Sequence, residues 1–257
     1  MKLLFIGDIV GKPGRKAVME VLPGLCHEYR FDLVVGNGEN AAGGAGLTIS
    51  TAQELFDSGI DVITTGNHVW AHKEIVPYLE GDAPVLRPLN YPPAVPGRGF
   101  LMRNGVLVVN LIGRTFIGNF DCPFRAMDRV VAEFEGEAGV IVVDFHAEAT
   151  SEKVAMGRYL DGRVSAVLGT HTHVGTIDSR VLPGGTAYVT DVGMVGPVES
   201  VIGDDPDAVI SRFLSQIPKR LPVGAGKVGF DAVMVDIDVE SGRARDIARI
   251  HRVVGEL

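Results

Sequence analysis

Val167-Leu168-Gly169-Thr170-His171-Thr172-His173 is an apolar run that ends in glycine and then sets two histidines one residue apart. The apolar part reads as a buried strand and the histidines as the loop leaving it. Imidazole is the commonest metal ligand, and two at this spacing reach one ion or two adjacent ones. A short His-x-His is more often a pair of solvated surface residues, so the pair alone decides nothing. Four other segments break the tie: Gly7-Asp8, Gly38-Glu39-Asn40, Gly66-Asn67-His68 and Phe145-His146 each close a strand-like run in acid, amide or histidine. In open α/β sheets, ligands bind beyond the carboxyl ends of the strands. Five donor-bearing loops at that edge therefore predict an α/β fold with a shared metal centre.

Working outward, the first third alternates strand and helix. Leu3–Ile6, Leu33–Val35 and Val62–Thr64 are compact apolar runs. Between and after them, helical spacing is expected over Gly14–Tyr29, Ser50–Ser58 (with Ser50 as N-cap) and near Lys73–Leu79. Runs apolar on both faces and separated by helices indicate parallel strands. Later, Gly99–Arg103 and Val106–Leu111 flank Asn104-Gly105, a strong hairpin signal. Two more hairpins are expected, Ile177–Leu182 with Ala187–Thr190 and Val228–Val239 with Ala244–Val254. Between these groups lie strands at Val140–Val143 and Val164–Leu168 and a helix near Glu152–Tyr159. The mixture fits two packed mixed sheets with helices outside. Pro84–Arg98, with five prolines, reads as a loop crossing between the sheets rather than a linker, so residues 1–257 are expected to form one domain.

Bulk composition bounds the function. With 46% hydrophobic and 22% charged residues the chain can bury a sizeable core. Its net charge of −8 argues against an extended nucleic-acid surface or a coat on an anionic membrane. A small anionic substrate stays compatible, because bound cations reverse the local field. Cys26 and Cys122 have neither disulfide-framework nor zinc-knuckle spacing and read as reduced, buried thiols. No run is long enough for a membrane span or a signal-peptide core, so a cytoplasmic protein is expected. A homo-oligomer is compatible with the sequence, which does not fix the number of copies.

Gly36-Asn37-Gly38-Glu39-Asn40-Ala41 spells G-x-G-x-x-A after a strand. A dinucleotide fingerprint must open a helix that receives pyrophosphate, but residues 41–46 are too glycine-rich to start one, and Glu39 would repel the phosphates. Gly11-Lys12-Pro13-Gly14 lacks the spacing of a P-loop. The donors suit a different chemistry. Carboxylate, amide and imidazole together favour Mn, Fe, Zn or similar divalent ions, and the lack of thiolates argues against structural zinc. Glu39 is placed to bridge two ions, and ions about 3.5–4 Å apart hold a bridging hydroxide and clamp an in-line displacement at phosphorus. His68 reads either as ligand or as proton carrier. Asp144, Glu148 and Asp191 read as groups that orient ligand histidines or as salt-bridge and capping residues. His27, His72 and His251, on expected helices or the last strand, are given no chemistry. Arg114, after Val106–Ile112, is a phosphate clamp or an ordinary surface arginine.

These residues also carry a family resemblance. Gly7-Asp8, Gly66-Asn67-His68 and Gly169-Thr170-His171-Thr172-His173 resemble the ordered motifs of calcineurin-like metallophosphoesterases. The match is closer to their YmdB-like bacterial branch, through Ile6–Gly11, Asn37–Ala41, Gly113–Phe116, Asp144–Lys153 and Thr190–Met194. The resemblance implies a four-layer αββα sandwich of two mixed β-sheets flanked by helices. It also implies phosphodiesterase activity on cyclic nucleotides, with 2′,3′-cyclic nucleotides and cAMP as candidates. Carried over, metal 1 is held by Asp8, Glu39, Asn40 and His173, and metal 2 by Glu39, Asn67, His146 and His171; His68 is the general acid. Against the wider superfamily, Asp-x-His is replaced by Asp8-Ile9-Val10, and the second Gly-Asp by Gly38-Glu39. Asn40 then stands in for the missing histidine and makes metal 1 richer in oxygen. The branch resemblance favours iron, with manganese second. Two rivals remain: a non-catalytic metal- or nucleotide-binding regulator, and a phosphomonoesterase or protein phosphatase using the same site.

Overall fold

The computed structural model describes residues 1–256; Leu257, the last residue of the expected domain, lies outside the described residues. In chain order the elements are β1 (Lys2–Ile6), β2 (Asp8–Ile9), α1 (Gly11–Tyr29), β3 (Leu33–Asn37), α2 (Ile49–Asp57), β4 (Val62–Thr64), α3 (Ile75–Glu80), β5 (Phe100–Arg103), β6 (Val106–Ile112) and α4 (Pro123–Glu133). They continue with β7 (Val140–His146), α5 (Thr150–Leu160), β8 (Ala166–Thr170), β9 (Arg180–Val181), β10 (Ala187–Val189), β11 (Met194–Pro197), α6 (Pro206–Ser215), β12 (Lys227–Ile237) and β13 (Ala244–Glu256).

Strand side chains alternate faces, and that alternation builds the layers. Leu4, Ile6 and Val34 join Ala17, Val18 and Leu22 of α1 and Ala52 and Leu55 of α2 in one cluster. Leu3, Phe5, Leu33 and Val35, one residue out of phase, meet Val106, Val108, Val140, Val142 and Leu168 between the sheets. Leu107, Val109 and Val143 face outward onto Met127 and Val130 of α4 and Met156 and Leu160 of α5. Helix, sheet, sheet and helix follow in that order, as expected.

The first sheet runs β2-β11-β12-β1-β3-β4, with β13 on β12, and the second runs β5-β6-β7-β8-β10-β9. β1, β3 and β4 are parallel, as are β6, β7, β8 and β10. The carboxyl ends of β1, β3, β4, β7 and β8 thus carry the five donor loops. The three expected hairpins form. At the first, Asn104 (φ 50°) and Gly105 (φ 78°) are both left-handed, as a type I′ turn requires. Residues 84–98 cross from the first sheet to the second, with Val85 bridging to Ile63 and Leu86 to Arg98.

Several expectations need correction. The cap of α2 is Thr48, not Ser50: Thr48 Oγ1 accepts from the Thr51 amide at 3.2 Å, and Thr51 Oγ1 accepts from the Thr48 amide at 2.9 Å. Helix α1 begins three residues earlier than expected, and α3 two residues later. The strand expected over Ile177–Leu182 shrinks to Arg180–Val181, because Asp178 spends its carboxylate on the Thr190 amide and hydroxyl. Helices α4 and α6 are additions to the expected elements; α6 carries Val209, Ile210, Phe213 and Leu214 at helical spacing but buries only Val209 among them. His72 is in a bend before α3, its Nε2 on the Ala45 carbonyl at 3.0 Å. Both cysteines are free, as expected, but half-buried rather than buried. No described helix is long and apolar enough to cross a membrane.

Candidate metal centre

Glu39, in the turn after β3, is the hub. Its Oε1 lies 3.1 Å from His146 Nε2 and 3.4 Å from His68 Nδ1. Its Oε2 accepts from the His68 backbone amide at 3.2 Å, and its own amide donates to Asn37 Oδ1 at 3.1 Å. The approach is close because Gly66 has no side chain; a Cβ there would run into both the His146 ring and Glu39 Oε2.

Three histidines surround the site, each tethered by one ring nitrogen. The Thr170 hydroxyl gives its one hydrogen to Asp144 Oδ1 at 2.7 Å, so His146 Nδ1, 2.9 Å from that oxygen, is the donor of the pair. His146 Nε2 is thereby turned toward Glu39, Asn67 Oδ1 (3.1 Å) and His171 Nδ1 (3.0 Å). His171 Nε2 faces Glu148 at 3.0 Å. His173 Nδ1 donates to the Ile202 carbonyl at 2.7 Å, which leaves Nε2 near Asn40 Nδ2 (3.1 Å) and Asp8 Oδ1 (3.7 Å). Tethering one nitrogen to an acceptor is how proteins orient a metal-ligating imidazole.

The electrostatics favour positive charge. Burial raises the Asp8 carboxyl, and it raises Asp144 to about 7 despite the nearby His146 charge. Burial also works against Glu39, yet the charge and hydrogen bond of His146 pull its carboxyl down to about 2. His146 itself, opposed by burial, is pushed up to about 9 by Glu39, Asp8 and Asp144. His171 falls to about 3 through burial and the His146 charge, so it is a neutral donor. Asp8 Oδ2 accepts from the His171 amide at 3.0 Å, while Oδ1 is fully buried with no hydrogen-bond partner among the described residues. Converging acceptors, the neutral His171 imidazole and an orphaned carboxylate oxygen fit a divalent cation, whose charge would stand where the His146 proton does. Ligand atoms of Glu39, His146 and His171 all lie within 4.8 Å of one another.

Asp8, Glu39, Asn40, Asn67, His68, His146, His171 and His173 are all brought together. Asn40 turns its amide nitrogen toward His173 and Glu39, and its Oδ1 lies 2.7 Å from His68 Nδ1. To act as a metal donor, Asn40 must present the opposite edge. Arg114 is not drawn in: its backbone amide donates to Glu152 at 3.1 Å, and it lines a separate cavity with Thr115, Phe120 and Glu152. The sequence reading missed Asn37 and Thr170, which tie Asp144 to His146 and Glu39. Their signal was there, since each is the polar last residue of a buried strand. It also missed Lys153, buried with its Nζ 2.7 Å from Asp191. Asp191 in turn accepts from the Thr172 amide and hydroxyl, between the two histidines.

Known proteins bear on this arrangement. The family described as YmdB-like protein matches residues 4–250. A Bacillus subtilis protein named 2′,3′-cyclic-nucleotide 2′-phosphodiesterase is 48% identical over 97% of this chain and 96% of its own. The crystal structure of a hypothetical protein from Thermus thermophilus has a TM-score of 0.92 at 46% identity, covering 98% of this chain and 99% of the other. The structure of a novel phosphatase from Mycoplasma pneumoniae also gives 0.92, at 33% identity, with 100% and 94% covered.

Proposed function

Because the chain belongs to the YmdB-like family, we propose that it is a metal-dependent phosphodiesterase acting on 2′,3′-cyclic nucleotides, with cAMP a second substrate to be tested. The observation that carries this reading is the convergence in one place of three tethered imidazoles, the buried carboxylates of Asp8 and Glu39, and the amides of Asn40 and Asn67. Asp8, Glu39, Asn40 and His173 would hold one ion. Glu39, Asn67, His146 and His171 would hold the second, with Glu39 shared. Such a pair, when bound, supplies positive charge to the phosphoryl oxygens and makes a water acidic enough to attack near neutral pH. Iron is our first choice, on the family resemblance, and manganese the second.

The protein's own groups do the rest. Asn40 Oδ1 fixes the His68 ring through Nδ1. His68, with 42% of its side chain exposed, keeps Nε2 free on the open side of the site. From there it gives a proton to the departing ribose oxygen as the P–O bond breaks. Glu148, Thr170 and the Ile202 carbonyl hold the histidine rings against rotation. The core shared by both sheets supports reading residues 1–257 as one domain. The free Cys26 and Cys122 support a reducing, cytoplasmic location.

The test is elemental analysis of the purified protein, followed by assays of stripped and metal-reconstituted protein. The substrates are 2′,3′-cyclic nucleotides, cAMP, linear dinucleotides and phosphomonoesters. We expect about two ions per chain, loss of hydrolysis on stripping, and turnover of 2′,3′-cyclic nucleotides above the rest. Full activity without metal overturns the reading. Preferential turnover of monoesters favours instead the phosphatase reading suggested by the description of the Mycoplasma pneumoniae relative.

A further inference from the structure

Beside the metal centre lies a second concavity of about 410 Å³. One wall is His68 with the glycine-rich turn at 42–45; the other is α6 and the segment after it, which contribute Arg212, Lys219 and Arg220. The turn can pass so close because Gly43 and Gly44 take left-handed backbone, φ +69° and +95°. No phenyl, phenol or indole ring lines the space, and its only flat groups are the imidazoles of His68 and His72 and the guanidinium planes of Arg212 and Arg220. What it offers is charge. Arg212 and Arg220 are exposed and enter no ion pair among the described residues. Lys219 is held toward α6 by a 2.9 Å bond to Ser211. The one opposing carboxylate is Asp204, which sits between Arg212 and the histidines; burial raises it, and His173, Arg212 and His68 lower it. His72, also in the wall, is already occupied by the Ala45 carbonyl. Three cations against one carboxylate, in a chain with net charge −8, is a local reversal of sign.

We propose that this cavity is a second anion subsite, in which Arg212, Arg220 and Lys219 hold a phosphate on the 5′ side of the ribose whose cyclic phosphate is cut at the metal centre. The inference rests on the phosphodiesterase reading above. If His68 protonates the leaving ribose oxygen, the ribose lies past His68, and its 5′ carbon, on the edge of the ring opposite the cyclic phosphate, reaches toward the basic wall. Guanidinium forks suit phosphate oxygens. The substrates favoured are then those with a 5′ phosphate as well as the cyclic one. Two sources share that chemistry: 5′-phosphorylated cyclic mononucleotides and the ends of short RNA chains.

The experiment has a binding arm and a turnover arm, both on metal-loaded protein. Calorimetry compares adenosine 3′,5′-bisphosphate with adenosine 3′-monophosphate. The wild type should bind the bisphosphate roughly tenfold tighter, the weight of one charge-assisted contact at an open site. Arg212→Gln combined with Arg220→Gln should bring the ratio close to one. A control pair, Lys2→Gln with Arg103→Gln, removes the same charge from exposed positions outside the cavity and should keep the ratio. Equal binding by the wild type, a ratio that survives R212Q/R220Q, or a ratio lost equally in the control overturns the subsite and leaves the phosphodiesterase reading standing. A preference lost only in R212Q/R220Q, without turnover of any cyclic nucleotide, keeps the subsite and overturns that reading. In the turnover arm, kcat/KM for 5′-phosphorylated 2′,3′-cyclic AMP should exceed that for 2′,3′-cyclic AMP through a lower KM; equal KM values count against the subsite. A tetraribonucleotide ending in a 2′,3′-cyclic phosphate, run beside them, identifies RNA ends as the source if it is the best substrate and free nucleotides if it is not.

Discussion

His171 and His173 both sit on left-handed backbone, φ +98° and +64°. For a residue with a side chain this costs about 1–3 kcal/mol, and it persists only where the surroundings over-determine it. Here the Asp8 carboxylate holds the His171 amide, and Asp191 holds the Thr172 amide and hydroxyl. The left-handed turn aims the His171 ring at His146 and the His173 ring at Asn40 and Asp8. His68 is different: it touches the cluster through Asn40 and Glu39 while its other nitrogen stays free. In the proposed role of general acid it would matter most for a poor leaving group. His68→Ala should keep both metals and lose roughly 10²–10⁴ in turnover on a ribose-leaving diester. The loss on bis(p-nitrophenyl) phosphate, whose leaving group needs little protonation, should be much smaller. Turnover on both substrates, with metal content measured in parallel, is the check; equal losses or lost metal make His68 a ligand or positioning group.

At the scale of elements, the site is an edge. β1, β3, β4, β7 and β8 end together, and each hands its polar residues to the same place. Those polar ends stood in the sequence because a parallel strand buried on both faces is apolar until it stops. What joins α5 to the histidine turn was not legible there. Lys153 reads as a surface lysine on an exposed helix, yet it is 1% exposed and paired with fully buried Asp191. Removing one member of a buried pair leaves an uncompensated charge, at a cost of about 3–5 kcal/mol. Lys153→Met should therefore lower unfolding stability by about that amount in urea denaturation. The double variant with Asp191→Asn should recover part of it. A loss under about 1 kcal/mol for the single variant would mean the pair does not pin the turn.

Over the whole molecule, the candidate centre lies where two sheets with a common core bring their edges together, so an ion bound by the proposed ligands would clamp both. β1, β3 and β4 supply Asp8, Glu39 and Asn67, while β7 and β8 supply His146 and His171. Ions that bind only the folded arrangement add stability by mass action, about 2.7 kcal/mol at a free concentration one hundred times the dissociation constant. For a chain of this size, that should raise the melting temperature by roughly 5–10 °C between stripped and reconstituted protein. An unchanged melting temperature in calorimetry, with metal verified as bound, would mean that the ion binds the unfolded chain as well and does not depend on the folded arrangement. The sequence by itself determined the alternation of strand and helix, the three hairpins, two mixed sheets with helices outside and the residues that end the strands, because periodicity and turn chemistry are local. It also carried a family resemblance distributed over most of the chain. Only the tertiary structure decided which nitrogen of each histidine faces the centre, the turned amide of Asn40, the Lys153–Asp191 pair and the basic wall beside His68. Those are set by partners far away along the chain, such as Ile202 for His173 and Arg212 across from residues 42–45, and no local pattern records which distant segment a fold will bring near.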